Sequence, residues 1–146
     1  MKLAEGLLLR ADLTKKIEHL TNRIRPVLTI QGNNQPQEDP VKLLAQIRRT
    51  NKDLEAIIIR INNTNNTTKL PNGMSLMEAL AQRDSLKMLS EKLRNIRQGS
   101  QINGRYDIRA TLDIKALQIE IDQTGRSFRE IDSKIQELNW LTELKD

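Results

Sequence analysis

Apolar residues recur along this chain at helical intervals. Leu9, Leu13, Ile17, Leu20 and Ile24 step by four, four, three and four, which puts them on one helical stripe. The pattern predicts a helix from about Lys2 to Ile24, stopped at Arg25-Pro26 because proline disfavours helix in the residue before it. A second helix begins at Asp39, whose carboxylate can cap, with Pro40 at the first helical position, where a missing N–H costs nothing. Within it Leu44, Ile47, Asn51, Leu54, Ile58, Ile61, Asn65 and Thr68 alternate steps of three and four, a heptad seam. In this reading Asn51 sits amid apolar neighbours, where a polar residue fixes register or oligomeric state at a cost in stability. Asn65, near the helix end, caps or is solvated.

The polar run NNTNNTT leads into Lys69–Met74, where Pro71-Asn72-Gly73 supplies a fixed φ and then a residue free to take positive φ. Ser75 with Glu78 three residues on is a capping box and opens a third helix, running to about Arg97 and ended by Gly99. Ile114, Leu117, Ile121, Thr124, Phe128, Ile131, Ile135, Leu138 and Thr142 then keep three-four spacing in a fourth helix that follows Asp113 as its cap. Gly125 lies inside this helix and marks a close approach or a bend. Two segments change period. Val27 to Gln31 is short and β-branched. Tyr106, Ile108, Ala110 and Leu112 alternate with polar neighbours, the period of a half-buried strand. A lone strand is unstable, so these two, about 27–31 and 105–112, are each other's candidate partners, unless each pairs with its copy in another subunit.

The expected fold is therefore mainly all-α. Four long helices, antiparallel where connections are short, form a single helical-bundle, coiled-coil-like domain over residues 1–146, with a possible two-stranded element at one end. Alternating helix directions would gather Glu5, Arg10, Asp12, Asn62, Asn65, Arg83, Asp84, Asn139, Trp140 and Glu143 toward the other end.

Composition narrows the chemistry. Only Tyr106, Phe128 and Trp140 are aromatic, which suits Leu- and Ile-packed helices. The chain has no cysteine, hence no disulfide and no thiolate nucleophile or metal site, and His19 is its one histidine. A formal charge of +5 permits an anionic partner without requiring one. No stretch approaches membrane-spanning length, and the start carries only a short apolar run bounded by Glu5 and Arg10, so a cytoplasmic protein is expected.

The blocks KLAEGLLLRADLTKKIEHL, IQG…EDP, RINNTN, ALAQRD and IQELNWLTEL resemble, across nearly the whole chain, a family of small uncharacterised bacterial proteins, some labelled septicolysin. The resemblance implies an all-helical cytosolic protein of unassigned activity, and carries over Glu5, Arg10, Asp12, Asn62, Thr64, Asn65, Arg83, Asp84, Asn139, Trp140 and Glu143. The cytolysin that the label suggests is at odds with the absence of an export signal or membrane-inserting segment in this sequence.

No Glu-x-x-His pair occurs, so neither a metal nor a cofactor is implied. Arg83, Asp84, Asn62, Asn65 and Glu143 are candidates for a polar pocket for a small ligand, or for a network of caps and salt bridges at the helix ends. Trp140 reads as a plug at the bundle end or as a partner's anchor. Arg83, Lys87, Lys92, Arg94, Arg97, Arg105 and Arg109 make a basic face suited to nucleic acid, or simply a solvated one, since no aromatic interleaves within helix 3. No phosphate loop or nucleophile motif is present. The balance favours a self-associating binding or scaffolding protein over an enzyme, with a homo-oligomer expected, nucleic acid as an alternative partner and no membrane.

Overall fold

The computed structural model describes residues 1–100 and 107–146. The chain is all-α, with four long helices: α1 (Leu3–Ile24), α2 (Pro40–Thr67), α3 (Leu76–Gly99) and α4 (Ile114–Leu141). A single 3-10 turn, Arg25–Val27, follows α1. The start signals act as their chemistry requires. The Asp39 carboxylate accepts from the Val41 N–H at 2.9 Å, and that of Asp113 from the Ala116 N–H at 3.1 Å. The Ser75 Oγ accepts from the Glu78 N–H at 3.1 Å while Glu78 Oε2 accepts from the Ser75 N–H at 2.8 Å, so the capping box is reciprocal.

Among the described residues neither expected strand forms. Val27 closes the 3-10 turn, with Pro26 inside it, and 28–31 is irregular. Of the second segment, 105–106 lie outside the described residues and 107–112 is irregular, with a turn at 107 and a bend at 111–112. Alternation alone does not make a strand when no second strand offers its N–H and C=O groups. Among the described residues β pairing is limited to two isolated antiparallel bridges, Lys2 with Glu143 and Lys69 with Ser75.

The described chain divides into two compact units. The first comprises Met1–Asn66 and Asn139–Asp146. Its helices α1 and α2 run antiparallel: Leu20, Ile24 and Val27 pack on Leu43 and Ile47, while Gly6 lies beside Ile57. The last residues return across the start of α1. The Leu3 N–H donates to the Thr142 carbonyl at 2.9 Å and the Leu144 N–H to the Met1 carbonyl at 2.8 Å. The Leu144 side chain then fills the space that Gly6 leaves.

The second unit is Thr67–Leu138. It opens with the turn, in which Gly73 takes φ +86° and donates to the Leu70 carbonyl. Helices α3 and α4 again run antiparallel, with Leu93 packed on Leu117 and Ile121, and Arg83 reaching Asp132. The α4 seam from Ile114 to Leu138 is buried or half-buried at every position.

On α2 the buried register is one residue away from the expected seam at every second position. Leu43, Thr50, Ile57 and Thr64 are buried, whereas Leu44 and Ile58 are 40% and 36% exposed and Asn51 is exposed. The sequence doubles its residues at each of these places (LL, TN, II, TN), so two registers have the same spacing. Chemistry chooses between them. A buried Thr satisfies its hydroxyl on the preceding turn, as Thr64 Oγ does by donating to the Arg60 carbonyl at 2.8 Å. A buried Asn must satisfy a whole amide. Asn51 therefore faces solvent and does not set a register from within a seam.

Candidate functional site

The residues expected to make a polar cluster divide between the two units. In the first, Glu5 accepts from the Lys2 N–H at 2.6 Å. Glu143 receives the Lys2 ammonium and the N-terminal ammonium, and these two, Lys2 foremost, hold its carboxyl below the usual range. Asn139 is buried, Asn65 half-buried, and Asn62, Arg10 and Asp12 exposed. The expected plug is not formed: Trp140 is 58% exposed and, among the described residues, its N–H has no hydrogen-bond partner. In the second unit, Arg83 donates to Asp84 at 2.8 Å and lies 3.6 Å from Asp132. These carboxylates answer its charge. Among the described residues no group of three or more His, Cys, Asp or Glu side chains is placed to hold a metal ion.

A different site stands out inside the second unit. Arg94 and Arg97 on α3 and Arg126 and Arg129 on α4, each pair spaced three apart, line one cleft of about 580 Å³. The antiparallel course of α3 and α4 brings the two pairs together, since a spacing of three repeats on one helix face. Gly125 is buried in its wall, and a Cβ built there would stand 3.4 Å from a terminal nitrogen of Arg129 and 3.9 Å from one of Arg94. The absent side chain leaves room for two guanidinium groups above one helix turn.

Charge at this cleft is unbalanced. None of the four arginines has an ion-pair or side-chain hydrogen-bond partner among the described residues, and the Nε of Arg97 is buried without one. Asp122 is the one carboxylate among the lining residues, and it accepts from the Gln118 amide at 3.0 Å. Four guanidinium groups present planar forks of donors suited to oxyanions. A smaller hollow of about 270 Å³ adjoins it, sharing Arg94, Gly125 and Arg129 and adding Lys87, Ser90, Glu91 and Phe128.

Of these groups, the basic stretch of helix 3 supplied Arg94 and Arg97. Arg126 and Arg129 were missed. The signal available was the repeated R-x-x-R spacing on two consecutive helices.

A family of unknown function, DUF6847, matches residues 10–144, and the chain belongs to it. Among solved structures, this chain is similar to a functionally unknown conserved protein from Corynebacterium diphtheriae, at 30% identity and a TM-score of 0.86, with 99% of each chain covered. No curated protein matches.

Proposed function

We propose that this member of DUF6847 is a self-associating helical protein that acts by binding or scaffolding. The observation that carries this reading is the apolar surface left uncovered. Among the described residues eighteen large hydrophobic side chains are at least a third exposed, more than the fourteen that are buried. Single exposed leucines are ordinary, and only continuity gives them meaning. Here Leu89 and Ile96 are 44% and 48% exposed and seven apart on α3. Ile96 joins Ile108 and Leu112 around one hollow of about 270 Å³. Seven-residue spacing is what a partner helix engages. A second copy of the chain offers the same strip, and such self-complementary pairing is the commonest route to homo-oligomers. The exposed Trp140 beside exposed Leu141 adds a second apolar anchor of the kind enriched at interfaces. The expected strand and a buried Asn51, which pointed the same way, no longer count toward it.

Sedimentation velocity tests this with the double variant Leu89→Glu, Ile96→Glu. The wild-type chain is expected to sediment as an oligomer at micromolar concentration, and the variant as a smaller species of unchanged helicity. A monomeric wild type overturns the reading.

The basic-face alternative acquires a more specific form. Arg83 is answered by carboxylates, whereas Arg94 and Arg97 open onto the cleft with Arg126 and Arg129. That division favours a compact anionic ligand over a polymer tracked along the whole of α3.

A further inference from the structure

We propose that the arginine cleft between α3 and α4 binds small molecules carrying two or more linked phosphate groups. This stands apart from self-association and does not need it.

Four guanidinium groups and one carboxylate line the cleft, leaving three net positive charges. Like charges gathered without counter-charges repel, and a protein retains such an arrangement at a cost that a bound anion reverses. A single phosphate brings about −1.5 to −2 near neutral pH and leaves part of this charge unanswered, while two or three linked phosphates match it. The guanidinium fork also fits phosphate oxygens two at a time. The buried Arg97 Nε is a donor with no acceptor among the described residues.

The volume agrees with the charge. A cleft of about 580 Å³ is far larger than one phosphate and falls within the range of small-ligand sites. Gly125 sets its depth, because any side chain there would enter the space beside Arg129 and Arg94. The linked phosphates have two sources, inorganic polyphosphate or a nucleotide. The adjoining hollow distinguishes them: the half-buried Phe128 ring and the Ser90 hydroxyl line it together with the shared arginines. A nucleoside would reach there and an inorganic chain would not.

The experiment is calorimetric titration of the full chain with inorganic tripolyphosphate, ATP, inorganic phosphate and a single-stranded RNA, at two salt concentrations. Tripolyphosphate is expected to bind, inorganic phosphate to bind far more weakly, and affinity to fall with salt. Arg94→Ala and Arg129→Ala should each weaken tripolyphosphate about ten- to a hundredfold, the usual loss of a charge-assisted contact. Gly125→Leu should weaken it too, because a side chain longer than a Cβ occupies the space between Arg129 and Arg94, while leucine favours a helix interior over glycine. That variant keeps the test decisive if an arginine variant fails to fold. ATP binding more tightly than tripolyphosphate assigns the site to nucleotides, and equal affinity assigns it to the inorganic chain. Failure of tripolyphosphate to bind overturns the proposal. So does binding indifferent to all three substitutions, or RNA binding without tripolyphosphate binding.

Discussion

Leu144 is the side chain that closes the first unit, and its partner is a glycine. A Cβ at Gly6 would stand 2.9 Å from Leu144 Cδ2, 3.4 Å from Cδ1 and 3.7 Å from Ile57 Cδ1. The two positions should therefore be strongly coupled. Leu144→Ala removes three buried carbons, which at ~0.8 kcal/mol each is about 2.4 kcal/mol before any cavity cost. Core Leu→Ala changes span about 2–5 kcal/mol, and the transfer loss alone places this one in the lower part of that range, about 2–3 kcal/mol. Gly6→Ala gains about 1 kcal/mol of helix propensity. In the wild-type background it also forces Leu144 aside, at about 1–3 kcal/mol for overpacking, and the net effect is neutral to destabilising. In the Leu144→Ala background the methyl has room, and the same change stabilises by about 1 kcal/mol. Urea unfolding of the four proteins, followed by circular dichroism, gives the coupling directly. Effects of Gly6→Ala that agree in the two backgrounds to within about 0.5 kcal/mol would refute the packing described.

Other expectations follow from single contacts. The α2 register is tested by Asn51→Ala, expected within about 0.5 kcal/mol of wild type, against Thr50→Asn, expected to cost about 1–3 kcal/mol by burying an amide; equal effects in thermal unfolding would contradict the register. Ser75→Ala removes the α3 cap and should cost about 1 kcal/mol in the same assay. Acid should destabilise the fold. The Ser75 N–H, and secondarily its hydroxyl, hold the Glu78 carboxyl below its ordinary value, as Lys2 does for Glu143 and Arg23 for Glu38. A depressed folded-state value means the contribution is present above the unfolded value of about 4.3 and is lost as pH falls through the folded one. Melting temperature should hold above about pH 5 and drop below it, and in Ser75→Ala the Glu78 part of that drop should shrink without vanishing, since the backbone N–H that chiefly holds this carboxylate remains.

Much of the fold was legible because its signals are local. Caps at Asp39, Ser75 and Asp113, the glycine of the turn and the α4 seam depend on residues within one or two turns of one another. The misses came where a local signal leaves two answers. Doubled residues on α2 gave two registers, and only the different needs of buried Thr and Asn separate them. Alternation over 107–112 described a surface without a partner strand. Trp140 read as a plug because a lone tryptophan usually finds cover, whereas here it stands beside exposed Leu141. The arginine cleft was half visible, since two of its four arginines lie on α4 and join the others only once the course of that helix is known.

The claim that these uncovered apolar faces meet a second copy of the chain is most directly tested by native mass spectrometry of the gently purified protein at micromolar concentration. A defined oligomer, built from 16.8 kDa chains, is expected, and it should revert to monomer in the Leu89→Glu, Ile96→Glu variant. A wild-type protein that is monomeric throughout would contradict it.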